Sequence, residues 1–108
     1  KTLESTKQTA INILKHNQKN LGIDCELPND VSTCFDELIK LAYEKYQKRV
    51  VILIDEYDKP ILDNLDNTTR AIENRDFLRG LYIQIKENDR YVKFAFLTGI
   101  SKFSKASI

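Results

Sequence analysis

Methionine is absent from this chain of 108 residues, which opens on Lys1; it reads as a segment of something longer, one fragment of a single domain spanning 1–108. Charge of one sign is also missing. Basic and acidic side chains number 17 and 16, for a formal net charge of +1. Such a balance offers no field to attract DNA, RNA or an anionic membrane. Long apolar runs are missing too: the longest is Val50-Val51-Ile52-Leu53-Ile54, against roughly 20 residues for a membrane span. The start, Lys1-Thr2-Leu3-Glu4, lacks the basic-then-apolar layout of an export signal. Together these absences point to the cytoplasm. Cysteine is scarce, with Cys25 and Cys34 alone, and His16 is the single histidine. Three such ligands do not complete a zinc set. Without an export signal, two reduced thiols are expected rather than a disulfide.

What is present is an ordinary globular composition, 42% hydrophobic and 31% charged, able to bury a modest core. Leu3 to about Asn20 reads as a helix, with Ser5 and Gln8 as a possible capping box and Ala10, Ile11 and Leu14 as an apolar stripe. Gly22 stands at its stop position. After a connector holding Pro28, Asp30 or Ser32 caps a second helix. There Phe35, Leu38, Ile39, Ala42 and Tyr46 share one face, and Lys45, Lys48 and Arg49 suit the negative end of the helix dipole.

Val50 to Ile54 is a strand. Five aliphatic residues without alternation predict a parallel strand covered on both faces. A polar loop follows from Asp63 to Thr69. Helix resumes near Ala71 and runs to about Glu87, burying Phe77, Leu78, Leu81, Tyr82 and Ile85. After a turn at Asn88-Asp89, Tyr91 to Leu97 forms a second strand, parallel to the first. Two strands make a poor sheet, since both edges stay open. A further strand is therefore expected from the rest of a parent chain or from a second copy.

In open parallel sheets, ligands bind beyond the carboxyl ends of the strands. One strand here ends in Asp55-Glu56 and the other in Thr98. Such acids serve phosphate chemistry: an Asp at the strand tip holds Mg²⁺, and a Glu after it polarises the water that attacks a γ-phosphate. A hydroxyl on the neighbouring strand can sense that phosphate. The segment Val50-Val51-Ile52-Leu53-Ile54-Asp55-Glu56-Tyr57-Asp58-Lys59-Pro60 resembles the Walker B segment of bacterial AAA-ATPase-like proteins, which often carry a C-terminal PD-(D/E)XK nuclease-like domain. Phe94-Ala95-Phe96-Leu97-Thr98-Gly99-Ile100-Ser101-Lys102-Phe103-Ser104 resembles the same family's sensor-1 strand and loop. The likeness is good over residues 30 to 108 and weak before them.

This resemblance implies an α/β fold, a partial P-loop NTPase-like three-layer arrangement of parallel strands flanked by helices. It implies ATP and Mg²⁺ as ligands, with Asp55 on the metal, Glu56 activating water and Thr98 reading the γ-phosphate. The family's phosphate-binding loop is missing: none of Gly22, Gly80 and Gly99 precedes a Lys-Ser or Lys-Thr pair, so the phosphates lack their cradle of amides. The isolated chain should therefore be inactive. Its implied partners are the remainder of the ATPase domain, a nuclease-like domain and other copies in a homo-oligomer. No strand-borne Asp…(Asp/Glu)-x-Lys nuclease pattern occurs here.

Other residues have plainer readings. Asp58 either supports the metal shell or caps a helix from Pro60. Lys59 is read as solvated rather than paired with Asp55 or a phosphate, and so are Ser101, Lys102 and Ser104. His16 is surface, and Tyr57 is core rather than a nucleotide contact. Tyr43, Tyr46, Tyr82 and Tyr91 are core or rim, not a base-stacking platform. Arg70, Arg75 and Arg79 are helix-surface residues, with an arginine lent to a neighbouring subunit as the alternative. Two competing functions are a receiver-like phosphoacceptor domain, through Asp55 and Thr98, and a non-catalytic interaction or assembly module.

Overall fold

A computed structural model describes residues 2–99; Ser101, Lys102 and Ser104, read above as a solvated loop, lie outside them. Helix α1 spans Leu3–Leu21. Its N-cap is Thr2, whose Oγ1 accepts the Ser5 N–H at 3.1 Å, so the expected box on Ser5 and Gln8 gives way to the residue one turn earlier. At the other end Gly22 takes φ 66°. The Ile23 N–H bonds to Gln18 O at 3.0 Å and the Gly22 N–H to Lys19 O at 3.3 Å. That double closure needs a left-handed residue, which glycine adopts without a Cβ clash.

Helix α2, Val31–Tyr46, is capped by Asp30, which accepts the Thr33 N–H at 3.2 Å. Its Leu38, Ile39 and Ala42 are buried and Phe35 half-buried. Tyr46, expected on the same face, keeps 49% of its surface, because it lies at the helix end and turns its hydroxyl to Leu21 O at 3.2 Å. Strand β1 is Val50–Ile54. A short helix α3, Lys59–Leu62, breaks into the stretch that follows. Helix α4, Thr68–Glu87, begins three residues before Ala71 because Asn67 accepts the Arg70 N–H at 3.1 Å and caps it there. A single 3₁₀ turn, Asp89–Tyr91, leads into β2, Val92–Leu97.

The two strands pair in parallel, as expected. Val50 faces Val92, a bulge skips Lys93, and Val51, Ile52, Leu53 and Ile54 then face Phe94, Ala95, Phe96 and Leu97. Ile52 and Val92 pack with Ile39 of α2 and Ile85 of α4 in one buried cluster, and each such side chain contributes about 1.5–3 kcal/mol by leaving water. A second cluster joins Ile23, Cys25, Cys34, Leu38 and Ala42 beneath the α1–α2 connection.

Three expectations need correction here. First, the sheet is covered on one face only. Leu53 and Phe96 stay 71% and 58% exposed, with Val51 and Phe94 beside them, while on the other face Ile52 and Val92 pack against Ile39 of α2 and Ile85 of α4. Second, Cys25 and Cys34 are joined in a disulfide with their Cα atoms 5.3 Å apart. The connector folds Cys25 back over the first turn of α2, which brings the pair together. Third, α4 buries less than its pattern implied. Ile85 is buried, Phe77, Leu78 and Leu81 are half-buried, and Tyr82 is exposed. Asn74 takes the fully buried place on that helix instead, hydrogen-bonded to Thr6 of α1.

Candidate active site at the carboxyl edge of the sheet

Parallel pairing delivers the ends of β1 and β2 to one edge, and four hydrogen bonds then bind Thr98 to the last residue of β1 and the segment after it. The Thr98 N–H donates to Ile54 O at 2.9 Å, and Thr98 O accepts the Tyr57 N–H at 3.0 Å. The Thr98 hydroxyl accepts the Glu56 N–H at 2.9 Å and donates to Asp55 Oδ1. Asp55, Glu56 and Thr98, singled out from sequence on two separate strands, therefore form one connected group. Asp55 and Glu56 are exposed and Thr98 is half-buried.

Glu56 has φ 50°, a left-handed conformation unfavourable for a residue with a Cβ. The chain turns sharply there and enters α3, with Pro60 in its first turn. Asp58 occupies the N-cap position yet makes no side-chain capping bond. Its carboxylate lies beside Gly99 instead: a Cβ placed on Gly99 would sit 3.4 Å from Asp58 Oδ2. Asp58 thus caps α3 through its backbone carbonyl, which accepts the Ile61 and Leu62 N–H groups at 3.0 Å, and not through its side chain. Lys59 pairs with Asp63 at 3.2 Å, and neither Asp55 nor Glu56 is its partner in that bridge. Arg75 and Arg79 lie near Asp76, at 3.4 and 3.9 Å, and both line the cavity beside this edge.

Beside this edge lies a cavity of about 510 Å³, lined by Ile54 and Leu97 at the strand ends, by Tyr57, and by Leu78, Tyr82 and Ile85 of α4 among others. Tyr57, expected in the core, lines this opening with 42% of its surface free. Pattern reasoning missed it because a tyrosine after an acid pair carries no periodic signal. A larger cavity of about 660 Å³, near Pro28 and Phe77, is lined by none of Asp55, Glu56 and Thr98.

Among the described residues no three His, Cys, Asp or Glu side chains cluster to hold a metal. Mg²⁺ is usually held by one or two carboxylates together with substrate phosphates and water. An exposed strand-tip carboxylate such as Asp55 fits that demand. No helix among the described residues is long and apolar enough to cross a membrane.

Against known proteins, the family model for predicted AAA-ATPases matches residues 1–108. A relative from Azotobacter chroococcum mcd 1, described as an uncharacterised protein in the vnfD 5′ region, is 50% identical over 96 residues. That match covers 89% of this chain and 18% of the relative, so the chain spans less than a fifth of that protein's length. No solved structure matches. By the family match over all its residues, the chain belongs to the AAA-ATPase-like family.

Proposed function

We propose that this chain is the central segment of an ATP-hydrolysing P-loop domain, carrying its Walker B strand in β1 and its sensor-1 strand in β2. The observation that supports it most is the acid edge: Asp55 and Glu56 at the tip of one parallel strand, tied through Thr98 to the tip of the next. Asp55 is the residue that would hold Mg²⁺, and Glu56 would take the proton of the attacking water. Bound Mg²⁺ supplies charge neutralisation on the β- and γ-phosphates. Thr98 belongs to the same site, where the resemblance has its hydroxyl facing the γ-phosphate.

The phosphate cradle has no counterpart among Gly22, Gly80 and Gly99, so it must come from the rest of the full-length chain. The open face carrying Leu53 and Phe96 supports the same reading, because a three-layer fold covers both faces of its sheet. That open face equally suits an assembly role for the segment, which is the second reading.

Turnover and nucleotide binding by the full-length protein separate the two. Glu56→Gln keeps the shape and removes the base, so binding should persist while turnover falls by about 10² or more. Equal turnover in variant and wild type would remove Glu56 from the role. No nucleotide binding by the wild type would leave the assembly reading.

A further inference from the structure

We propose that Thr98 is a positioning residue, a latch that fixes Asp55 and Glu56 before any nucleotide arrives, rather than a direct reader of the γ-phosphate. The inference rests on the ATPase reading for its consequence but not for its geometry. A threonine hydroxyl has one proton and two lone pairs. Here the proton goes to Asp55 Oδ1, and a lone pair takes the Glu56 N–H at 2.9 Å. While that proton lies on Asp55 it cannot also be given to a phosphate oxygen.

Both contacts have a purpose for the acids. The bond to Oδ1 stops the Asp55 carboxylate from swinging at an exposed strand end. The bond to the Glu56 N–H holds an amide whose residue sits at φ 50°, a conformation that reverts to an extended one unless its surroundings hold it. The main chain braces the latch from both sides, through Ile54 O at 2.9 Å and the Tyr57 N–H at 3.0 Å. Thr98 therefore holds the Asp55 carboxylate and the backbone turn that carries Glu56, and its methyl-for-hydroxyl analogue, valine, removes that control with little change in volume.

Hydrogen–deuterium exchange at single amides of the full-length, nucleotide-free protein reads the latch directly. In the wild type the Glu56 amide should be protected although its residue is exposed; a fast amide there overturns the proposal without any variant. Thr98→Ser keeps the hydroxyl and should keep the protection. Thr98→Val should speed exchange at Glu56 by about tenfold, the loss of one hydrogen bond, while the Ile52 and Ala95 amides hold their wild-type rates. A valine variant with a protected Glu56 amide overturns the latch. Steady-state ATP turnover then tests the consequence: valine should lower kcat by about tenfold or more with KM little changed, and serine should restore it. A valine variant with faster Glu56 exchange but wild-type kcat overturns the positioning role. If the wild type has no turnover, the ATPase reading fails while the exchange result still decides the latch.

Discussion

The disulfide between Cys25 and Cys34 has a calculable consequence. It closes a loop with a sequence separation of 9. The chain-entropy relation assigns such a loop about 2.6 kcal/mol of stabilisation near room temperature, which is about 80-fold in an opening equilibrium. The effect should be local, because both sulfurs lie in the cluster under the α1–α2 connection, with Cys34 fully buried and Cys25 nearly so. The full-length protein, purified without reductant, would be alkylated in denaturant before and after reduction and mapped at the two cysteine peptides. Both should resist alkylation until reduced. Exchange at the Cys34 amide, which bonds to Asp30 O at 2.8 Å, should then quicken by one to two decades on reduction. Free thiols in the unreduced protein would refute the pairing. A paired but exchange-neutral bridge would refute the loop-entropy argument.

Further expectations concern the core and the open sheet face. Ile39→Ala, at a residue 2% exposed between α2 and the sheet, should cost about 3 kcal/mol, read as a lower denaturation midpoint; a loss within about 0.5 kcal/mol would mean the site collapses freely. Asn88→Ala removes the buried donor that meets Asp36 Oδ1 at 2.8 Å and Gln84 O at 2.8 Å, and should cost about 2 kcal/mol in the same measurement. Leu53→Asp and Phe96→Asp test whether the face left open here is covered in the full-length protein. Covered, each should lower its melting temperature by several degrees; an unchanged melting temperature would place that face in solvent.

Much of the fold was legible because local signals and packing agreed. Val50 to Ile54 reads as a strand from its β-branched run, Gly22 closes α1 where a left-handed residue is required, and Asp30 caps α2. Apart from the cap of α1, which is local, the misreadings depend on partners distant in sequence. Thr2 outcompetes Ser5 as a cap because of where the first turn begins. Tyr46 and Tyr82 fit an apolar stripe but fall beyond the elements that would cover them. The disulfide needed the path of the connector, and the prior from an absent export signal pointed the other way. At the site, residue types and strand ends identified Asp55, Glu56 and Thr98. Their mutual bonding was not legible, since it follows from the register that sets Ile54 beside Leu97 and from the left-handed turn at Glu56. An acid at φ 50° leaves no mark in the sequence.

The central claim is that the edge formed by Asp55, Glu56 and Thr98 meets the metal of a bound nucleotide. Replacing Mg²⁺ by Fe²⁺ in the full-length protein, with ATP, ascorbate and peroxide, cuts the backbone next to wherever the metal sits. The account predicts ATP-dependent cuts mapping to 54–58 and 98–99, abolished by Asp55→Asn. ATP-dependent cuts that map elsewhere and survive Asp55→Asn would contradict it.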